Sequence, residues 1–123
     1  MEWHEQGCPY VTKHYRTGSM QQLQRRWMDQ GAEPTAHLLD TEGRVGRLYG
    51  ALTALHMVVI DPSGRIVYAG AIDDKPTTLA EDLAGATNYV ERALTDAQAG
   101  RSISPSSTEP YGCSIHYSAT QGR

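Results

Sequence analysis

The sequence predicts an α/β domain in which a small mixed sheet, built around a β-hairpin, is flanked by helices. The run His56–Ile60 is almost wholly apolar and rich in β-branched residues, which is typical of a strand buried on both faces. A turn sequence, Asp61-Pro62-Ser63-Gly64, follows it, and Arg65–Gly70 returns with alternating apolar and less apolar side chains. Helical patterns before and after the hairpin complete the prediction.

The first helix is expected to begin directly after Cys8. Pro9 suits the first helical position, because its missing N–H would have no partner there and its φ angle is already helical. A second helix is expected near residues 19–30, where Ser19 and Gln22 have the spacing of a capping box.

The remaining elements are a short strand and a long helix. Ala36–Asp40 is a short apolar run that a turn signal ends. A helix with an apolar stripe is expected from residue 77 or 78 to about residue 98. We therefore expect one domain over residues 1–117 and a flexible tail over residues 118–123.

Composition argues against several classes of function. The 123 residues carry a net charge of -3 without a block of like charges, so we expect no nucleic-acid partner. No apolar stretch of ~20 residues is present, so we expect no membrane span. A signal peptide is lacking, which favours the cytoplasm, although a lost N-terminal segment could have carried one. We expect no cofactor.

Cys8 is the main candidate for a catalytic residue. The exposed N–H groups and the dipole of the following helix favour a thiolate, the form that attacks disulfides and peroxides. The alternative is a small residue that merely caps a helix. Lys13 and His14, in the second turn, either add positive potential near the sulfur or belong to the solvated surface.

Cys113 is the candidate second thiol, either as a partner that resolves Cys8 or as a half-buried, inert residue. Because the two cysteines come from opposite ends of the sequence, we expect both to be free thiols in a reducing setting. Their Cα atoms are expected to lie too far apart to bridge. Two histidines, His4 and His116, lie near the cysteines, but the spacing fits no standard metal pattern, so we expect no metal. The pair Asp73-Asp74 is expected in a solvated loop rather than as an acid–base pair.

Blocks of residues spread over most of the chain occur together in one protein family. The first block is Cys8-Pro9-Tyr10-Val11 together with residues 13–15, and the second is residues 39–40 together with 43–51. The third comprises residues 56–57, 59–62 and Gly64, and the fourth residues 70–74. The last is Pro110-Tyr111-Gly112-Cys113-Ser114-Ile115. Together they resemble the redoxin group of the alkyl hydroperoxide reductase and thiol-specific antioxidant superfamily, a branch of the thioredoxin-like fold.

The resemblance implies a thioredoxin-like sheet flanked by helices, with the reactive cysteine at the N-terminus of the first helix. By the same analogy Cys8 is the redox cysteine and Cys113 a second thiol. Lys13, named above for its charge near the sulfur, is the third candidate catalytic residue. The implied function is thiol-based reduction of a protein disulfide or a peroxide, with an external thiol as the reductant.

The chain also departs from the family pattern. Only Met1–Trp3 remains of the strand before the cysteine, and 31–33 replace a further strand and helix. Leu55 stands where the family has a cis proline, and a leucine peptide prefers trans by ~2.5–4 kcal/mol. Glu5 replaces the threonine of the peroxidatic pattern, and a carboxylate there would raise the thiol pKa. These departures favour the alternative, a redox-inactive thioredoxin-like interaction module or a degraded fragment.

The shortened sheet is expected to expose an edge of the strand His56–Ile60. Ala36–Asp40 is expected to move inward to pair near Met1–Trp3 or His56–Ile60, or a second copy of the chain fills the slot as a homodimer. Either arrangement leaves a small core, so we expect low stability for the size of the domain.

Overall fold

The chain folds as a two-stranded antiparallel hairpin with helices packed around it, in a computed structural model that describes residues 1–4, 7–28 and 39–117. Several features of the sequence-based prediction lie outside these ranges, among them Glu5, the replaced segment around 31–33 and the tail 118–123. The elements in chain order are α1 (Pro9–Arg16), α2 (Ser19–Met28), α3 (Arg44–Tyr49), β1 (Met57–Ile60), β2 (Ile66–Gly70), a 3₁₀ helix (Ala80–Gly85) and α4 (Tyr89–Gln98).

The hairpin confirms the clearest prediction from the sequence. Met57 pairs with Gly70 and Val59 with Tyr68, and the register shifts between Val59 and Ile60. The side chain of Asp61 organises the turn, since its Oδ1 accepts hydrogen bonds from the backbone N–H of residues 63 and 65 at 2.9 and 3.0 Å. The expected mixed sheet is not found among the described residues, where the only extended strands are these two antiparallel ones.

Residues 1–3 cover part of the outer edge of β1. Glu2 forms an antiparallel bridge with Met57, and the Val58 N–H donates to the Met1 carbonyl at 2.9 Å. The Leu55 N–H donates to the Trp3 carbonyl at 2.6 Å. The edge that the shortened sheet was expected to expose is therefore paired, in part, within the same chain.

The edge of β2 is covered by the segment that follows α4. Ser107 forms a parallel bridge with Ala69, and the Thr108 N–H donates to the Ala69 carbonyl at 3.2 Å. Of the predicted strand Ala36–Asp40, positions 36–38 lie outside the described residues, and the last two are not in a strand. Dimerisation through a sheet edge stays a prediction.

Two helix predictions need correction. Ser19 is the first residue of α2 and not a capping-box residue, because its hydroxyl contacts His14 instead. The long helix expected from residue 77 or 78 is two elements, since the backbone is extended at Ala86 after the 3₁₀ helix. α4 starts anew where the Asn88 Oδ1 accepts the N–H of Glu91 at 2.9 Å.

Helix α3 was missed in the sequence. Asp40 lies four residues before it, and its two carboxylate oxygens accept the N–H groups of Val45 and Gly46 at 3.1 and 2.7 Å. The carboxylate therefore supplies the N-terminal cap from outside the helix. In the described part of the chain no helix is long and apolar enough to cross a bilayer.

The core lies between the hairpin, α1 and α4. Its buried members are Cys8, Val11, Met20, Ala54, Leu55, Met57, Tyr68, Ile72, Val90 and Ala93. The chain has no phenylalanine, so Tyr68 fills the centre of this core with no exposure to solvent. Its hydroxyl is satisfied by the Ala71 carbonyl at 2.5 Å and the Thr108 hydroxyl at 2.6 Å.

Leu55 has an unusual backbone conformation directly before β1. It follows a trans peptide bond, as expected for leucine, and has a φ of 66°, in the left-handed region. That conformation costs a non-glycine residue about 1–2 kcal/mol. The fully buried side chain offsets this strain, since burying a leucine contributes about 1.5–3 kcal/mol.

We expect Gly112→Ala to destabilise the fold by about 3 kcal/mol. Gly112 has a φ of 143°, and a Cβ atom there would overlap the backbone carbonyl oxygen of Ala54, which cannot move without disturbing β1. Gly100→Ala is the matched control, because φ is also positive (68°) but nothing lies near the new methyl. Urea unfolding of both variants tests this, and equal losses of stability would contradict the expected contact.

Candidate functional site

The two cysteines meet in the structure. Cys8 and Cys113 form a disulfide, and their Cα atoms lie 6.0 Å apart. This distance is within the usual range for a bridged pair. The expectation that the two Cα atoms lie too far apart to bridge is therefore wrong. That both cysteines are free thiols in a reducing setting stays a prediction.

Backbone pairing of the C-terminal segment, residues 106–117, explains why the two cysteines meet. The Ala54 N–H donates to the Cys113 carbonyl at 2.8 Å, and Ser114 forms an antiparallel bridge with Thr53. The Ile115 N–H donates to the Leu52 carbonyl at 3.0 Å. These bonds lay the segment along the loop before β1 and bring Cys113 to the start of α1.

Cys8 occupies the N-cap position of α1, with extended backbone angles (φ -69°, ψ 122°). Pro9 follows as the first helical residue, as the sequence predicts. Cys8 is 3% exposed and belongs to the apolar core, whereas Cys113 is only partly buried. The two cysteines of the disulfide therefore differ in their exposure to solvent.

A buried polar cluster of His14, Asp73 and Tyr111 lies beside α1. The Tyr111 hydroxyl donates to the Asp73 Oδ1 at 2.6 Å and lies 3.3 Å from the His14 Nε2. The Asp73 Oδ2 is 3.5 Å from the same nitrogen. Because His14 and Asp73 are 1% and 2% exposed, these contacts are shielded from competing water.

The contacts of the cluster select one tautomer of His14. Tyr111 has one proton and gives it to the charged acceptor, so its oxygen can only accept from the His14 Nε2. The Nε2 atom therefore carries the proton and also faces Asp73. The Nδ1 atom is left as an acceptor that faces the Ser19 hydroxyl at 3.0 Å, and the same hydroxyl lies 3.3 Å from the His14 carbonyl oxygen.

Burial sets the protonation of the cluster. Desolvation lowers the pKa of His14, against an opposing attraction from Asp73, so the ring is neutral at neutral pH. Desolvation, followed by the hydrogen bond to Asp73, raises the pKa of Tyr111, so its hydroxyl keeps the proton that it donates. The hydrogen bonds of the cluster therefore persist at neutral pH.

Lys13 is buried too, and not part of the solvated surface. Its ammonium group donates to the carbonyl oxygens of Lys75 and Thr77 at 2.9 and 2.7 Å, and it lies 5.4 Å from the ring centroid of Tyr111. Desolvation lowers its pKa, while Asp73 and Asp82 oppose that shift. Lys13 thus fastens the loop after β2 to α1.

The other candidate residues have separate environments. Asp73 is buried, which corrects the expected solvated loop, whereas Asp74 is exposed and accepts the Thr87 N–H at 2.8 Å. His4 and His116 are exposed. Over residues 1–4, 7–28 and 39–117, no three His, Cys, Asp or Glu side chains are grouped to hold a metal ion.

Comparison with protein-family models, with curated proteins and with solved structures gives no match for this chain. The resemblance to redoxins therefore stays a prediction, and the site is interpreted from its own geometry. Sequence reasoning did not find Tyr111 or the buried role of Asp73. The only signal was their position, Tyr111 two residues before Cys113 and Asp73 just after β2.

We expect acid to destabilise the fold partly through His14. Its pKa is lowered by burial, so below the ordinary value of about 6.5 the unfolded chain binds a proton that the folded chain does not. The free energy of unfolding therefore decreases as the pH falls below that value. Each histidine contributes a loss of at most ~1.4 kcal/mol for each pH unit. The pKa of His56 is lowered by burial too and adds to the loss.

Unfolding free energies at pH 7.5 and 5.5 measure this effect. The loss between the two pH values should be smaller in His14→Asn than in the wild type. His116→Asn, at an exposed position, should show the full wild-type loss. An undiminished loss in His14→Asn would rule out the buried neutral histidine.

Proposed function

We propose that the protein is a thioredoxin-like thiol-disulfide redox protein in which Cys8 and Cys113 alternate between a dithiol and a disulfide. One observation carries the proposal: the only two cysteines of the chain, from opposite ends of the sequence, are bonded at the N-terminus of a helix. A helix N-terminus stabilises a thiolate, which is the reactive form in disulfide exchange.

In the reducing direction, the Cys8 thiolate attacks one sulfur of a substrate disulfide or one oxygen of a peroxide. The products on Cys8 are a mixed disulfide or a sulfenic acid, and the first thiolate or alkoxide leaves. The Cys113 thiolate then attacks the Cys8 sulfur and expels the second thiolate or hydroxide. The substrate gains two electrons, and the protein is left with the disulfide seen in the structure.

An external thiol returns the protein to the dithiol. Cys113 is partly exposed and Cys8 almost wholly buried, so the incoming thiolate reaches the Cys113 sulfur. The S–S bond breaks with Cys8 as the leaving thiolate, at the positive end of α1. A second external thiol then attacks the mixed disulfide, which frees Cys113 and releases the oxidised reductant.

The order of elements also supports a thioredoxin-like arrangement. Cys8 precedes α1, and the antiparallel pair β1–β2 is followed by a helix, α4, that packs on both strands. Leu55, buried with a positive φ, takes the place of the proline expected in that family.

A second candidate is an interaction module in which the disulfide is permanent. The observation that favours it is a set of exposed apolar side chains around α3, namely Leu39, Leu48 and Leu52, which are 86%, 78% and 59% exposed. Exposed apolar side chains mark an interaction site where they form one large contiguous patch. Redox cycling of the two cysteines separates this candidate from the enzyme.

We expect the reduced protein to lose both thiols when it meets hydrogen peroxide or a peptide disulfide. Cys113→Ser should stop at a sulfenic acid or mixed disulfide on Cys8, because no second thiol resolves it. Cys8→Ser should react slowly. Mass spectrometry with and without alkylation measures each product. A native disulfide that millimolar dithiothreitol does not reduce would favour the interaction module.

We also expect glutathione to attack the oxidised protein at Cys113. After an acid quench, peptide mapping should find glutathione on Cys113 and a free thiol on Cys8. The reason is the greater exposure of Cys113 together with the better leaving group at the start of α1. Glutathione found mainly on Cys8 would show that access to Cys113 does not direct the exchange.

A further inference from the structure

The geometry points to Tyr111 as a positioning residue that keeps Cys113 beside Cys8 when the disulfide is reduced. The inference rests on the proposed function, because it concerns how the dithiol closes again. The polar cluster of His14, Asp73 and Tyr111 takes no direct part in the thiol-disulfide exchange. Its role is to position the segment that carries Cys113.

Backbone hydrogen bonds still hold the segment with Cys113 once the S–S bond is broken. The backbone bonds from Ala54 to Cys113 and from Ile115 to Leu52 tie the segment to the loop before β1. They do not reach α1, the helix that carries Cys8. A second tie, to α1 itself, is needed to fix one sulfur against the other.

Tyr111 supplies that tie. Its hydroxyl lies 3.3 Å from the His14 Nε2, and its ring centroid is 5.7 Å from the ring of Tyr10 and 5.4 Å from the ammonium of Lys13. All three partners belong to α1. Only Gly112 separates Tyr111 from Cys113, so the position of the ring limits where the sulfur can go.

Asp73 gives the tie its strength. Its Oδ1 accepts from the Tyr111 hydroxyl at 2.6 Å and from the Lys75 N–H at 2.8 Å, which fixes the carboxylate to the backbone. A hydrogen bond to a charged acceptor is about twice as strong as one between neutral groups. In a buried site no water competes for it.

A tether that survives reduction raises the effective concentration of one thiol at the other. Disulfide closure and the Tyr111 contacts restrict the same segment, so each strengthens the other. Removal of the hydroxyl should lower the equilibrium constant for disulfide formation with glutathione about tenfold, because the hydrogen bond to the carboxylate is lost while the backbone bonds remain.

The test is a redox titration of the full chain in glutathione buffers, read by alkylation and mass spectrometry. Tyr111→Phe keeps the ring and should shift the equilibrium constant about tenfold toward the dithiol. Tyr117→Phe is the matched control: it too removes a hydroxyl from the segment, but one that donates to the Ala51 carbonyl at 2.6 Å, away from α1. It should stay within about twofold of the wild type.

A second variant keeps the test decisive if Tyr111→Phe folds poorly. Asp73→Asn leaves a neutral acceptor for the Tyr111 hydroxyl and should shift the constant in the same direction by a smaller factor. Unfolding of both tyrosine variants in a Cys8→Ser/Cys113→Ser background measures their effect on stability alone. Equal shifts for the two tyrosine variants, or none for Tyr111→Phe and Asp73→Asn, would overturn the inference. A wild type that never equilibrates with glutathione would instead refute the proposed function.

Discussion

The return of the C-terminal segment across the hairpin is the constraint on which the rest of the structure depends. Residues 106–108 pair with the edge of β2, residues 113–115 pair with the loop before β1, and a disulfide joins the segment to α1. A disulfide that closes a loop of ~100 residues stabilises a fold by about 4–5 kcal/mol in the chain-entropy account. An isolated two-stranded hairpin is only marginally stable in water, so these attachments decide whether the core holds together.

The same constraint explains why a polar cluster can lie in the interior. Burying His14, Asp73 and Lys13 costs free energy unless each finds partners. Most of their polar atoms do, because Tyr111 enters with the returning segment and the loop after β2 supplies carbonyl oxygens and an N–H. The Asp73 Oδ2 has no hydrogen-bond partner in the structure. The cluster therefore depends on the position of the returning segment, which the disulfide also attaches to α1.

The asymmetry between the two cysteines gives the proposed chemistry a direction. Cys8 is held in the core at a helix N-terminus, and Cys113 lies on a segment that solvent reaches. In the proposed exchange, an external thiol attacks Cys113 and the helix N-terminus stabilises the Cys8 thiolate that leaves. Leu55, next to the residue that pairs with Cys113, has a strained backbone conformation. The burial of its side chain offsets the cost of that strain.

Local signals determined the parts of the fold that local contacts stabilise. The turn Asp61–Gly64 and the apolar runs on either side of it specify the hairpin, and Pro9 specifies a helix start after Cys8. The prediction of one long helix ending near Gln98 was wrong because it followed the apolar stripe alone. Asn88 interrupts that stripe as the N-cap of a new helix. Helix α3 is not evident in the sequence, because the residue that caps it, Asp40, lies four positions before the helix and not at its N-cap.

The candidate site was decided by tertiary structure. From the sequence, Cys8 could be identified as a helix-terminal thiol, but its bond to Cys113 could not, since the segment that delivers Cys113 has no strand pattern of its own. Tyr111 and His14 are 97 positions apart, and Tyr111 and Asp73 are 38 apart. No periodicity in a sequence records contacts of that separation. They form because a buried charge needs partners, and only the folded chain determines which side chains are near enough to provide them.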